Sequence, residues 1–156
     1  MASPDDGLGT RFDAAELSPG LALWQVTNRW QAVMRAALEP HGLTHVQYVL
    51  LASLVWLQQH DPEALTTQAR LAEFAATDVM MTSQVVRTLQ AKGLLTREAH
   101  PQDGRARALR PTPTGVRVAR DATVDVEDAD ASFFAPLDSG AAFLSELARL
   151  RRGRNQ

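Results

Sequence analysis

Residues 82–115 read TSQVVRTLQAKGLLTREAHPQDGRARALRPTPTG. The apolar rhythm changes once within them. Thr82, Val85, Val86 and Leu89 recur at the spacing of a helix. Gly93 is a stop signal for that helix. Beyond it, LLTREA and RARALR alternate as strands do. HPQDG between them combines Pro, Asp and Gly, the residues of a tight turn. Thr112-Pro113 then supplies a cap and a first-turn proline, so a new helix starts there. The order is helix, β-hairpin, helix.

Charge concentrates in the same place. From Arg87 to Arg120 there are eight basic residues and two acids, Glu98 and Asp103, a balance of +6. The rest of the chain balances at −8, and the whole at −2. A basic stretch on an acidic body points to a confined contact with a polyanion, against the plainer alternative of a solvated face. The remaining totals mainly exclude. The chain has 156 residues, 45% hydrophobic and 22% charged, an ordinary globular mixture. It has no cysteine, so disulfides and thiolate metal sites are ruled out. No apolar run reaches the length of a membrane span. The N-terminal stretch lacks the basic and apolar regions of a signal peptide, so a cytoplasmic setting is expected.

Upstream, Ser18-Pro19 opens a helix whose apolar residues fall on several sides, among them Leu23, Val26, Trp30, Val33 and Met34. The pattern predicts burial on more than one side. Thr44 with Gln47 three residues on forms a capping-box signature for the next helix. Two short helices with a tight break follow, the first starting at Thr66 or Thr67, the second capped by Asp78. Downstream, the helix begun at Thr112-Pro113 runs to about Ala131. A break at Pro136 precedes a last helix bearing Phe143, Leu144, Leu147 and Leu150. The expected fold is mainly α with a small β-hairpin wing, a winged helix-turn-helix. A helix of this kind fits the major groove of duplex DNA, and a hairpin tipped with arginine can enter the adjacent minor groove.

The run 82–115 resembles the core of the MarR family of bacterial transcriptional regulators. The likeness is carried by Leu89, Lys92, Gly93 and Leu94, then Arg97, then Asp103 and Arg105, then Thr112 and Gly115. It extends over about residues 18–152. It implies a homodimer with dimerisation helices at about 18–38 and 113–152, a DNA-binding lobe at about 62–112, and a flexible lead-in over 1–17. It also implies double-stranded DNA as partner, as a pseudo-palindromic operator, and regulation, as a repressor, by a small-molecule effector.

Roles follow by position. Arg105 matches the family's wing-tip arginine, and Asp103 would fix the wing or orient that arginine. Ser83 and Gln84 lie where family members contact the major groove, and Gln suits adenine. Met80 could touch thymine methyl groups, and Arg87 reads as a relocated basic contact. Thr66, Thr67 and Arg107 are candidates for phosphate. Gln84, Arg87 and Thr88 depart from the family's usual residues, and Pro111 replaces a usual Leu, which predicts an early end to the second wing strand.

Trp24, Asn28, Tyr48 and Trp56 are candidates for an effector pocket, with ordinary core packing as the alternative. His41 and His45 are four apart, but His41 precedes the helix and nothing completes a tetrahedral set, so no metal is expected. No cofactor is expected either. No nucleophile–base pair or phosphate loop suggests an enzyme. The alternative function is a winged-helix module that binds a protein partner and no longer reads DNA.

Overall fold

The computed structural model describes residues 7–153. The long helices are α1 (Pro19–Leu38), α2 (His45–His60) and α5 (Pro113–Phe134), with a shorter α6 (Gly140–Arg151) at the end. Between α2 and α5 lie β1 (Thr66–Thr67), α3 (Gln68–Ala75), α4 (Val79–Ala91), β2 (Leu95–Ala99) and β3 (Arg107–Pro111). One-turn 3-10 helices precede α1 and α2.

Local chemistry sets these boundaries. Ser18, Thr67, Thr112 and Ser139 each cap a helix by accepting a backbone N–H through the side-chain oxygen. Thr44 and Gln47 complete the reciprocal box at α2. The break between α3 and α4 is made by Ala76, held in the left-handed region at φ 51°, and by Asp78, which accepts from Met80 and Met81. Such a φ is costly for a residue with a Cβ. Gly93, at φ 71°, ends α4 without that cost.

The sheet has three antiparallel strands in the order β1-β3-β2. The hairpin is as expected, but β1 is an addition: Thr66 pairs with Leu109 and Thr67 with Ala108. β3 does not end early at Pro111, which pairs with Leu95. The bonds His100 N–H to Ala106 O and Thr112 N–H to Leu94 O mark the hydrogen-bonded pairs of the ladder. Pro111 therefore falls in a non-hydrogen-bonded pair, and β1 stops short of it, so its missing N–H leaves no partner unsatisfied.

Met34, Leu38, Leu50, Leu51, Leu54, Leu71, Val86 and Leu89 form one continuous core with Leu95 and Leu109 of the sheet and Ala119, Ala122 and Val126 of α5. α1 departs from expectation. Only Met34 and Leu38 are buried in it, and Leu23, Trp24 and Val26 stand exposed. The N-terminal half of the helix lies outside the single-chain core, although Val26 lines a cavity with Ser132, Phe133 and Phe134 of α5 and Phe143 of α6. α6 likewise contributes no buried residue.

Two close approaches join the lobes. Gly115 packs against the backbone of Leu94 so closely that a Cβ there would lie 1.9 Å from Leu94 O. Thr112 clamps the same junction: its N–H donates to Leu94 O at 3.0 Å, its hydroxyl to Gly93 O at 2.7 Å, and that hydroxyl accepts from Gly115 N–H. Lys92 reaches the other way, donating through Nζ to Gly42 O at 2.7 Å and Gln47 Oε1 at 3.0 Å.

Candidate nucleic-acid interface and effector cleft

α4 is fixed by its buried side and by its cap. Val85, Val86, Leu89 and Thr82 are buried, and the Thr82 hydroxyl donates to Asp78 O at 2.8 Å. Met80, Gln84 and Arg87 are exposed at a spacing that puts them on one face. Arg87 Nη2 donates to Ser83 Oγ at 3.0 Å, so two residues singled out from the sequence form one unit. Arg87 takes part in no ion pair among the described residues.

At the wing, Asp103 works on the backbone. Its carboxylate accepts from Arg105 N–H at 3.0 Å and its carbonyl from Ala106 N–H at 3.1 Å. This Asx-type turn fixes the tip and leaves the Arg105 side chain exposed. Arg107 is also exposed, whereas Arg110 pairs with Glu98 at 3.7 Å. Arg97, half-buried on β2, has an Nε that is buried without a partner.

Thr66 needs correction. It is only 4% exposed and belongs to β1, so its side chain cannot reach a phosphate. Its alternation with Thr67 sends one threonine into the core and leaves the other to cap α3. Thr67 remains half-buried, with its hydroxyl accepting from Arg70 N–H.

A cleft of about 490 Å³ opens between α2 and α5. Tyr48, Trp56, Val116, Thr123 and Val124 line it, and Arg120 is the one charged residue among its walls. Tyr48 Oη and Thr123 Oγ1 are 3.1 Å apart. Trp56 also stacks on Phe74 of α3, with ring centroids 5.2 Å apart. The structure thus brings Tyr48 and Trp56 together but not Trp24 and Asn28. Those two lie on the exposed part of α1, where Asn28 Nδ2 donates to Trp24 O. Sequence reasoning missed Arg120, because its relation to α2 is purely tertiary.

The two histidines part company. His41 Nε2 lies 2.6 Å from Asp125 Oδ2, and His45 Nδ1 lies 2.8 Å from Gln31 Oε1. Burial pushes the His45 imidazole below its ordinary value, partly opposed by Asp130. Among the described residues no group of three or more His, Cys, Asp or Glu could hold a metal ion. No described helix is long and apolar enough to cross a membrane.

A capped helix pair followed by a hairpin whose tip arginine projects freely defines a winged helix-turn-helix protein of the DNA-binding regulator class. The MarR family model matches residues 43–106, which run from the α1–α2 turn to the tip of the wing, just before β3. The chain is 41% identical over 141 residues to the uncharacterized HTH-type transcriptional regulator YdcH of Bacillus subtilis (strain 168), across 90% of this chain and 95% of that protein. The PcaV transcriptional regulator of Streptomyces coelicolor, in complex with its natural ligand, superposes with a TM-score of 0.79 at 26% identity, covering 92% of this chain and 99% of its own. BpsR of Bordetella bronchiseptica, whose DNA binding is regulated by 6-hydroxynicotinic acid, superposes with a TM-score of 0.76 at 21% identity, over 92% and 97%. The chain belongs to the MarR family of transcriptional regulators.

Proposed function

We propose that the protein is a cytoplasmic homodimer that reads a pseudo-palindromic DNA duplex and acts as a repressor whose affinity is set by a small molecule in the α2–α5 cleft. The lobe of about residues 62–112 reads DNA, and α1, α5 and α6 make the dimer. Met80, Ser83, Gln84 and Arg87 meet the major groove. Arg105 enters the minor groove, with Thr67 and Arg107 near phosphates.

The observation that carries this is the wing: Asp103 holds the backbone of the tip, while Arg105 stands exposed with no acid partner among the described residues. A second copy is supported by the uncovered apolar side chains of α1 and α6, with Trp24 67%, Leu144 67% and Leu150 71% exposed. An effector is supported by the apolar cleft with its single arginine, and by the ligand-bound state of PcaV. Trp56 forms a wall of that cleft and stacks on Phe74, so an occupant touches the helix-turn-helix through one aromatic pair. Occupancy then shifts DNA affinity by the difference in ligand affinity between the two arrangements.

The test is selection of bound duplexes from a random pool, then titration across salt. An enriched pseudo-palindrome is expected, with affinity falling steeply as salt rises. Arg105→Ala should weaken binding and lower the salt slope by about 1. No enrichment by a folded dimer that retains one protein partner through purification would instead support an interaction module.

A further inference from the structure

The accessible sulfur of the described chain is gathered on the first turn of α4. The sequence has no cysteine and four methionines. Met34 is fully buried, whereas Met80 is 81% exposed and Met81 44% exposed. Met1 lies outside the described residues. The backbone beneath the pair is fixed, because Met80 N–H and Met81 N–H both donate to Asp78 Oδ1, at 2.9 and 3.0 Å. The thioethers therefore stand on a rigid turn, on the helix assigned above to the major groove.

We propose that Met80 is an oxidation switch: a two-electron oxidant of the hypohalous acid class converts its thioether to the sulfoxide and weakens DNA binding. This rests on the DNA-reading role of α4. In the reaction the sulfur lone pair attacks the halogen and hydroxide leaves. Water then attacks sulfur, and halide departs. The sulfur loses two electrons, the halogen gains them, the sulfoxide oxygen comes from water, and one proton is released net. No thiol in the chain competes for the oxidant.

The consequence follows from polarity. A thioether is soft and apolar and can lie against a thymine methyl group. A sulfoxide carries a strongly polar acceptor oxygen. Pressing it into a base edge removes its water, and a methyl group offers no hydrogen bond in return. The Asp78 carboxylate at the same turn already accepts from Met80 N–H and Met81 N–H, so neither is left for the new oxygen. Methionine sulfoxide is reducible by dedicated enzymes, which makes the change reversible.

The experiment uses the full chain and a duplex enriched from a random pool by the unoxidised protein. Limiting hypochlorite is added, sulfoxide is located by peptide mass spectrometry, and affinity and melting are measured before and after. Met80 should gain oxygen ahead of Met34. Affinity should fall by about tenfold, the scale of one lost base contact, in step with Met80 sulfoxide, with melting unchanged. Treatment with both methionine sulfoxide reductases should restore it. Each variant is judged by its own ratio of affinities: Met80→Leu should show no loss on oxidation, and Met81→Leu the wild-type loss. Unchanged affinity with Met80 fully oxidised, an equal loss in Met80→Leu, or a loss that tracks a lower melting temperature would each overturn the switch while leaving the DNA reading intact. Failure of the unoxidised protein to enrich any duplex would overturn the DNA reading, and the switch with it.

Discussion

Replacing Gly115 by alanine tests the junction on which the wing depends. The added Cβ would lie 1.9 Å from Leu94 O and 2.9 Å from Leu94 C, whereas ordinary contact begins near 3.4 Å. One backbone must therefore give way by about 1.5 Å. The obstructing atoms belong to the main chain, so no side chain can swing aside. Separation breaks the bond from Thr112 N–H to Leu94 O and the bond from the Thr112 hydroxyl to Gly93 O, while the cap from Gly115 N–H to Thr112 travels with α5. Each of the two is worth about 1 kcal/mol, so a loss of about 2 kcal/mol is expected. For a chain of this size that lowers the melting temperature by roughly 4–8 °C at fixed protein concentration. Because Leu94 leads directly into β2, the wing moves as well, and DNA affinity should fall even at temperatures where the variant is folded. Thermal unfolding by circular dichroism, with a DNA titration in the cold, reads both effects. A variant melting within about 1 °C of wild type would refute the reasoning, since relief would then be available without breaking these bonds.

Three further outcomes are expected. Ala76→Gly removes a Cβ from a φ of 51° and should raise stability by about 0.5–1 kcal/mol in urea unfolding, the left-handed cost being partly offset by the greater freedom of glycine when unfolded. Lys92→Met cuts the tether to Gly42 and Gln47 and should cost about 1 kcal/mol while leaving the salt slope of DNA binding unchanged, because this lysine is turned to the protein; a slope reduced as in Arg105→Ala would place it at the DNA instead. His45 has a folded pKa below its ordinary 6.5, so its contribution to stability is present above that value and lost as pH falls through the folded pKa. Unfolding free energy should therefore drop more steeply below about pH 6.5 in wild type than in His45→Gln, and parallel pH profiles would contradict this.

Much of this protein was legible in its residues. Caps at Ser18, Thr44, Asp78 and Thr112 are local events, made within a few residues of chain, so their sequence signatures carry over directly. The same holds for the Asp103 turn and for the switch from helical to alternating pattern at Gly93. The MarR likeness, resting on Leu89 through Gly115, belongs to the same local stretch.

What the sequence could not decide depends on distant partners. Thr66 and Thr67 look alike, and only the arrival of β3 sends the first into the core and leaves the second as a cap. Pro111 looked like a strand end until the ladder showed it in a pair that asks for no N–H. Lys92 reads as one more basic residue beside a DNA-reading helix, yet its ammonium is held by a loop fifty residues earlier. The cleft is similar: Tyr48 and Trp56 belong to it because α5 brings Arg120 and Thr123 opposite them, while Trp24 lies elsewhere on α1. Helix periodicity and capping are short-range and are written in consecutive residues. Which charge is paired, which threonine is buried and which aromatics share a cavity are set by packing between elements far apart in the chain.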